Sequence, residues 1–263
     1  MRNAQILQPV CNMICVVPMS SPALAASELL DPVAAYDRIA PIYANLAKQR
    51  QAYLDAVDRL VIADIPPGSR SLLDVGAGDG ARAARIAAAA DLRHLTLLEP
   101  SARMRSYFPA HATVWAMRAE NLNRQQGAFD IVTCLWNVFG HILPAAARLE
   151  ALRQIARLVS PRGKVFIDLN HRYNARHYGS AATAVRFLRD RVSPAGSNGD
   201  VKVVWDIEGH PCRTTGHVFT HAEFKALSGA AGLRIQKRFV IDYATGQLRP
   251  WSFEGMLLYV LGH

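Results

Sequence analysis

Apolar residues early in the chain recur at helical spacing. Val33, Tyr36 and Ile39 are followed by Ile42 and Leu46, with Pro41 breaking the series, so one or two helices run from Asp31 to Ile65 ahead of any sheet. The period then changes. Ser71 to Val75 is a short apolar strand that runs into Gly76-Ala77-Gly78-Asp79-Gly80 and an alanine-rich helix from Ala81 to Ala90. Further apolar strands are expected at His94 to Leu98, Thr113 to Met117, Asp130 to Leu135 and Lys164 to Leu169, with a helix over Ala145 to Val159 that Pro161 and Gly163 close off. Such alternation predicts a doubly wound α/β fold, its mostly parallel sheet covered on both faces.

After Asn170 the alternation lapses. Two β-rich pieces, Ala184 to Val192 and Val201 to Ile207, flank a Ser197-Asn198-Gly199 turn and read as an inserted hairpin. Thr220 and Glu223 then form a capping box, Gly229 and Gly232 end the helix, and strands are expected at Leu233 to Ile241 and, antiparallel to it, Phe253 to Leu261. The expected organisation is a flexible extension over 1–30 and one domain over 31–263, with a substrate-shaping insertion at about 171–219.

Composition removes several classes. With 263 residues, 51% hydrophobic and 19% charged, the chain is neither disordered nor fibrous, and it has no continuous apolar run long enough to span a bilayer. The net charge of +9 arises mostly from arginines scattered singly, such as Arg82, Arg103 and Arg153. Nucleic acid is therefore not the expected partner, because blocks rather than scatter mark such surfaces. Cys11, Cys15, Cys134 and Cys212 make no disulfide framework and have no zinc-ligand spacing, so a reducing, cytoplasmic setting without metal is expected. The first residues imitate a signal peptide poorly, since Gln8, Pro9 and Asn12 interrupt the apolar stretch.

The chemistry concentrates at the strand ends. Glycines after Val75 allow a tight turn and a close backbone approach, while the next helix offers free N–H groups, so a cofactor is implied. Gly76, Gly78 and Ala81 also fit the looser dinucleotide fingerprint. Glu99, ending the second strand, would hold ribose hydroxyls in either case. Asp74 would oppose a pyrophosphate and suits a ligand bearing an ammonium; its competing role is a strand-end cap.

From about Asp31 onward the chain resembles the class I S-adenosylmethionine-dependent methyltransferases. Leu72 to Gly80 looks like their first motif and Leu97 to Ser101 like their second. Ala119-Glu120-Asn121-Leu122 looks like the adenine loop, Phe129 to Val132 like the fourth strand, and Leu158 to Gly163 like the turn before the fifth. Arg118 departs from the pattern, since an acid stands there in many members and arginine cannot accept a hydrogen bond. The resemblance implies a seven-stranded sheet under an N-terminal helical lid, with S-adenosylmethionine as cofactor. Its implied cofactor contacts are Asp74, Gly76, Ala77, Gly78, Glu99, Pro100, Met104, Ala119, Glu120, Asn121, Leu135, Tyr43 and, through a guanidinium fork on a carboxylate, Arg50.

Past the fourth strand, Cys134 to Ile142 and Ile167 to Asn174 are similar to segments of glycine and aminosugar N-methyltransferases. A small molecule with a nucleophilic nitrogen is the implied acceptor, bound by a monomer or homodimer without a membrane. His141 and Asn137 are the implied catalytic residues, His141 because imidazole titrates in the useful range. Tyr36, Trp136, Phe139, Asn170, Arg172 and Tyr173 are the implied acceptor contacts. Core packing competes for Tyr36, Tyr43, Trp136 and Phe139, and an ordinary solvated loop for Arg172 and Tyr173. An O-methyltransferase, an RNA or protein methyltransferase, a nicotinamide-dependent oxidoreductase and a non-catalytic cofactor-binding protein remain as alternatives.

Overall fold

A computed structural model describes residues 15–18, 29–207 and 209–263. The main sheet has seven strands: β2 (Ser71–Val75), β3 (His94–Leu98), β4 (Thr113–Trp115), β5 (Phe129–Cys134), β6 (Val159–Leu169), β9 (Arg234–Ile241) and β10 (Met256–Gly262), in the order β4-β3-β2-β5-β6-β10-β9. Only β10 runs against its neighbours. The sheet reverses its winding between β2 and β5, the switch point where open α/β sheets place ligands. Leu72, Leu73, Ile131, Val132 and Val165 are buried without alternation, as strands covered on both faces require.

Helices α1 (Pro32–Ile39), α2 (Tyr43–Lys48) and α3 (Gln51–Asp64) precede the sheet, and a 3-10 turn over Ala40–Ile42 carries Pro41. Helix α4 (Ala81–Ala89) follows the glycine turn, α5 (Ala102–Arg105) follows β3, and α6 (Ala145–Leu158) precedes β6. These elements follow the pattern expected from hydrophobic spacing. In the insertion the agreement stops. Ala184 to Val192 is no strand, because α7 (Ala175–Tyr178) leads into α8 (Ser180–Val192).

The reason is an inverted amphipathic helix. Val185, Leu188 and Val192 keep helical spacing but are 68%, 63% and 76% exposed, while Arg186 turns inward over the Tyr178 ring and Asp190 pairs with buried Arg172. Polar anchors orient α8, so its apolar residues do not report a core face. The hairpin is instead β7 (Asp200–Ile207) with β8 (His210–His217). Cys15–Pro18, within the expected extension, forms β1 on the outer edge of β7, and the rest of 1–28 lies outside the described residues.

Hairpin and lid are one unit. Val201, Val203 and Trp205 alternate on the inner face of β7 and bury themselves with Ala35 and Ile39 of α1. Leu30 donates its backbone N–H to Arg213 and accepts from the Thr214 hydroxyl. This roof covers the carboxyl ends of the parallel strands. Helix α9 (His221–Ala230) packs on α6 and is capped by Thr220, whose hydroxyl accepts from the Glu223 amide at 3.1 Å. The Glu223 carboxylate does not close a capping box, because it reaches Arg172 and His217. No helix among the described residues is long and apolar enough to cross a membrane.

Candidate active site

The turn after β2 is held by Leu98, whose carbonyl accepts the N–H groups of Gly76 at 2.8 Å and Ala77 at 2.9 Å. Gly76 and Gly78 have φ of +73° and +57°, where a side chain is strained. Space forbids one as well. A Cβ on Gly76 would overlap Val138, and one on Gly78 would lie 2.6 Å from the Tyr43 hydroxyl. The turn therefore has walls on both sides.

Glu99 closes the next edge. Its carboxylate accepts from the Gly78 amide at 3.0 Å and the Ser101 amide at 2.9 Å, and burial pushes it up to about 7 despite those amides. Burial likewise pushes Asp74 up to about 6, against the pull of the Thr133 hydroxyl it accepts from at 2.6 Å. Two buried acids, reluctant to ionise, thus stand beside the glycine turn. Arg82, in the first turn of α4, donates through Nε to Asp58 at 2.6 Å, but its two terminal nitrogens are buried without a partner. Buried donors of this kind call for an acceptor.

A cleft runs along this edge. Gly76, Gly78, Glu99, Pro100, Ala119 and Glu120 line one side, and Tyr36, Tyr43, Trp136, Val138 and His141 the other. Arg118 lines it too, and there it pairs with Asp31 at 2.6 Å, joining the turn that begins at Ala119 to the start of α1. A second tie runs from Asp37 on α1 to the Ser101 hydroxyl, at 2.5 Å.

Next to it lies a narrow hollow between lid and hairpin, with Trp205, Tyr243, Asn137 and Asn170 in its wall. Tyr36, Tyr43, Trp136 and His141 border both spaces. Trp136 reaches this position through a strained turn, because it and Asn137 adopt φ of 62° and 57° in succession. Such backbone costs about 1–3 kcal/mol per residue and persists only where its surroundings fix it. Here Asp168 accepts the Asn137 amide at 2.8 Å and the Tyr53 hydroxyl at 2.8 Å, while the Asn137 side chain accepts the Asn170 amide at 2.9 Å.

His141 is held by β8. Only a ring N–H can donate to a carbonyl, so its contact of 3.2 Å with Thr215 O puts the hydrogen on Nδ1 and leaves Nε2 as an acceptor. Burial pushes the imidazole down to about 4. The expectation that it titrates near neutrality is corrected accordingly.

Other expected site residues lie elsewhere. Met104, Leu135, Ala77 and Phe139 are buried in the core, Phe139 stacked on Phe219 at 5.5 Å. Asn121 is exposed on the turn after Arg118. Asp74 sits behind the cleft wall. Arg50 lies over the Tyr243 ring, 4.9 Å from its centre, and lines neither space. Arg172 and Tyr173 face a separate hollow, where both bond Asp190 and Arg172 also pairs with Glu223. Arg82, Val138, Trp205 and Tyr243 were not expected. Trp205 has a local signal in the alternation of β7, Val138 follows β5, and Arg82, which lines neither space, stands two residues past Gly80; only Tyr243 comes to the site without a local signal.

A family model described as a methyltransferase domain matches residues 46–237, and the chain belongs to that family. It is an S-adenosylmethionine-dependent methyltransferase. Among solved structures, it is similar to the CcbJ methyltransferase from Streptomyces caelestis, at 16% identity and a TM-score of 0.62, over 87% of this chain and 97% of that one. The sugar N-methyltransferase KedS8 from Streptoalloteichus sp. is 19% identical over 92% of this chain and 98% of that one, with a TM-score of 0.57. The SAM-bound amino pentose methyltransferase CalS10 from Micromonospora echinaspora is 17% identical over 84% of this chain and 95% of that one, with a TM-score of 0.55. No curated protein matches the sequence.

Proposed function

We propose that this methyltransferase acts on a nitrogen of a small molecule held between the lid and the hairpin. The observation that carries this reading is the shared wall of the two spaces, Tyr36, Tyr43, Trp136 and His141. A ligand in the cleft and an acceptor in the cavity would meet there. The names of sugar N- and amino pentose methyltransferases among the similar structures agree with it.

The cleft fits the cofactor by its donor set and shape. The glycine turn gives the room that a Cβ would fill, the Glu99 carboxylate is an acceptor for ribose hydroxyls, and Ala119 and Glu120 offer an edge for adenine. Asp74 supplies negative charge for the amino group. Arg82, like Arg50, lines neither space, but it has buried N–H groups without a partner, and these are the donors assigned to the carboxylate. When bound, S-adenosylmethionine supplies an electrophilic methyl group on a sulfonium.

The protein's own part is alignment, from which most of the rate gain in such an in-line displacement comes. Tyr36 and Tyr43 are kept as neutral phenols by burial, so they wall the space and do not act as bases. His141 holds an N–H of the acceptor through Nε2 and so aims the nitrogen lone pair. Among the described residues, the cavity wall has no carboxylate or lysine to strip a proton from a hydroxyl, which favours nitrogen over oxygen. The buried free thiols Cys134 and Cys212 accord with a reducing, cytoplasmic compartment. Mass spectrometry of products from a mixed panel of amines, azoles and phenols tests the reading; methylation confined to oxygen, or to RNA or protein, would overturn it.

A further inference from the structure

The second cavity has a composition that narrows the acceptor. Its wall contains two groups of rings: Tyr36 meets Trp205 at 5.6 Å and His141 at 5.5 Å, and Tyr43 meets Trp136 at 5.4 Å, whose indole N–H donates to Tyr243 at 3.2 Å. Ile39, Leu46 and Val203 fill between them. Among the described residues the wall includes no Lys, Arg, Asp or Glu. The one further histidine, His217, has Nδ1 2.6 Å from Asp200 and Nε2 2.7 Å from Glu223, so both of its ring nitrogens are engaged away from any guest.

We propose that this cavity selects an uncharged, planar acceptor whose nitrogen is weakly basic, an azole or an arylamine, laid against aromatic faces. The inference rests on nitrogen methylation as read above and adds the substrate class. A carboxylate or phosphate entering the cavity would lose its hydration and meet no lysine or arginine, the one histidine besides His141 being already held by Asp200 and Glu223. An alkylammonium would find ring faces to lie on, but it has no lone pair until it loses a proton, and the wall offers no carboxylate to take one. The imidazole acceptor, Nε2 of His141, sits on a ring whose other nitrogen is committed to Thr215, and the amide and hydroxyl oxygens of the wall are too weakly basic to hold a proton. A nitrogen already unprotonated at neutral pH avoids the difficulty.

The step balances without a strong base. The acceptor's lone pair forms the N–C bond while the methyl carbon's bond to sulfur breaks, its electron pair remaining on sulfur. Positive charge passes to the acceptor and is lost when the acceptor's N–H proton leaves to water.

The test is calorimetric titration of the full chain, saturated with S-adenosylhomocysteine, with benzimidazole, benzimidazole-5-carboxylate and cyclohexylamine at pH 7.5. Benzimidazole is expected to bind about tenfold or more tightly than either charged probe, the scale of one uncompensated desolvation. Trp205→Leu should weaken it about fivefold or more while S-adenosylhomocysteine affinity stays within about twofold, which also reports a folded variant. Equal or tighter binding of a charged probe, no benzimidazole binding up to millimolar concentration, or no effect of Trp205→Leu in a variant that binds S-adenosylhomocysteine would overturn the proposal. A parallel incubation with S-adenosylmethionine separates it from the reading beneath it. Methyl on benzimidazole supports both, whereas methyl on 2-naphthol with benzimidazole bound but unmodified overturns nitrogen transfer and leaves the cavity's preference for neutral planar guests standing.

Discussion

Tyr43 lies across Gly78 so closely that a single added methyl group would come within 2.6 Å of its hydroxyl oxygen. The lid and the glycine turn are therefore fitted to each other, and the turn's lack of side chains serves the lid as well as the ligand. At the neighbouring Gly76 the obstacle is Val138, a shorter and stiffer side chain than tyrosine.

From this pair of contacts, Gly76→Ala is expected to be worse than Gly78→Ala. Each forces an L-residue into the left-handed region, at about 1–2 kcal/mol, but only Tyr43 has a long side chain that can swing aside. Thermal unfolding and S-adenosylhomocysteine titration of both variants check the order. An equal or smaller effect at Gly76 would mean that Val138 gives way freely.

Cofactor affinity should weaken as pH falls. Asp74 at about 6 and Glu99 at about 7 carry raised pKa values in the unliganded protein, chiefly through burial. A ligand that favours their ionised forms must displace protons below those values, so affinity for S-adenosylhomocysteine at pH 5 should be roughly tenfold or more below that at pH 8. The sign for the fold is the reverse. Raised acids favour the unliganded native state at low pH, and this contribution is lost as pH rises through about 6 and 7, so the thermal shift given by the ligand should grow with pH. A flat profile in Asp74→Asn would identify Asp74 as a source; an unchanged profile in both Asp74→Asn and Glu99→Gln would exclude the two acids.

Arg82→Met should lower S-adenosylmethionine affinity about tenfold, because it removes the buried donors assigned to the carboxylate. Loss of the Asp58 contact will also cost stability. Decarboxylated S-adenosylmethionine provides the control: it should bind wild type and variant alike, and an equal loss for both ligands would assign Arg82 a purely structural role.

For His141, turnover should fall about tenfold or more in His141→Ala, with cofactor affinity unchanged and partial recovery in His141→Gln, which restores an acceptor. As the ring is pushed down to about 4, the wild-type rate should show no limb near pH 6.5 from this group. A limb there that vanishes in His141→Ala would restore it as the titrating base.

Asn137→Ala tests the strained turn. It leaves the Asn170 amide without its acceptor, a loss of about 1–2 kcal/mol, and frees Trp136 to move. Turnover should fall while cofactor affinity holds. An unchanged rate would show that Trp136 needs no such support.

The alternation of Ser71 to Val75, His94 to Leu98 and Phe129 to Cys134 with intervening helices was enough to find the sheet and its ligand edge, since both depend on local period and on the glycine turn. The places of Gly76, Gly78 and Glu99 along the cleft are legible for the same reason, whereas Ala119 is reached only through the family resemblance. Arg172 and Tyr173 misled, because a residue just past a strand end can turn toward the ligand or toward a neighbouring loop, and here Asp190 and Glu223 draw them away. Helix α8 misled because polar anchors, not apolar burial, fix its orientation. Trp205 and Tyr243 stand well over a hundred residues beyond the glycine turn; the docking of the hairpin on the lid brings Trp205 to the acceptor cavity, and Tyr243 arrives from the loop after β9.

The most direct test of the site is calorimetric titration of wild type and Glu99→Ala with S-adenosylhomocysteine at one salt concentration and pH 8. Micromolar binding by wild type, weakened about tenfold or more in a Glu99→Ala variant of unchanged secondary structure, is the result expected if ribose hydroxyls rest on Glu99. Equal affinity in the two proteins would contradict it and move the cofactor out of this cleft.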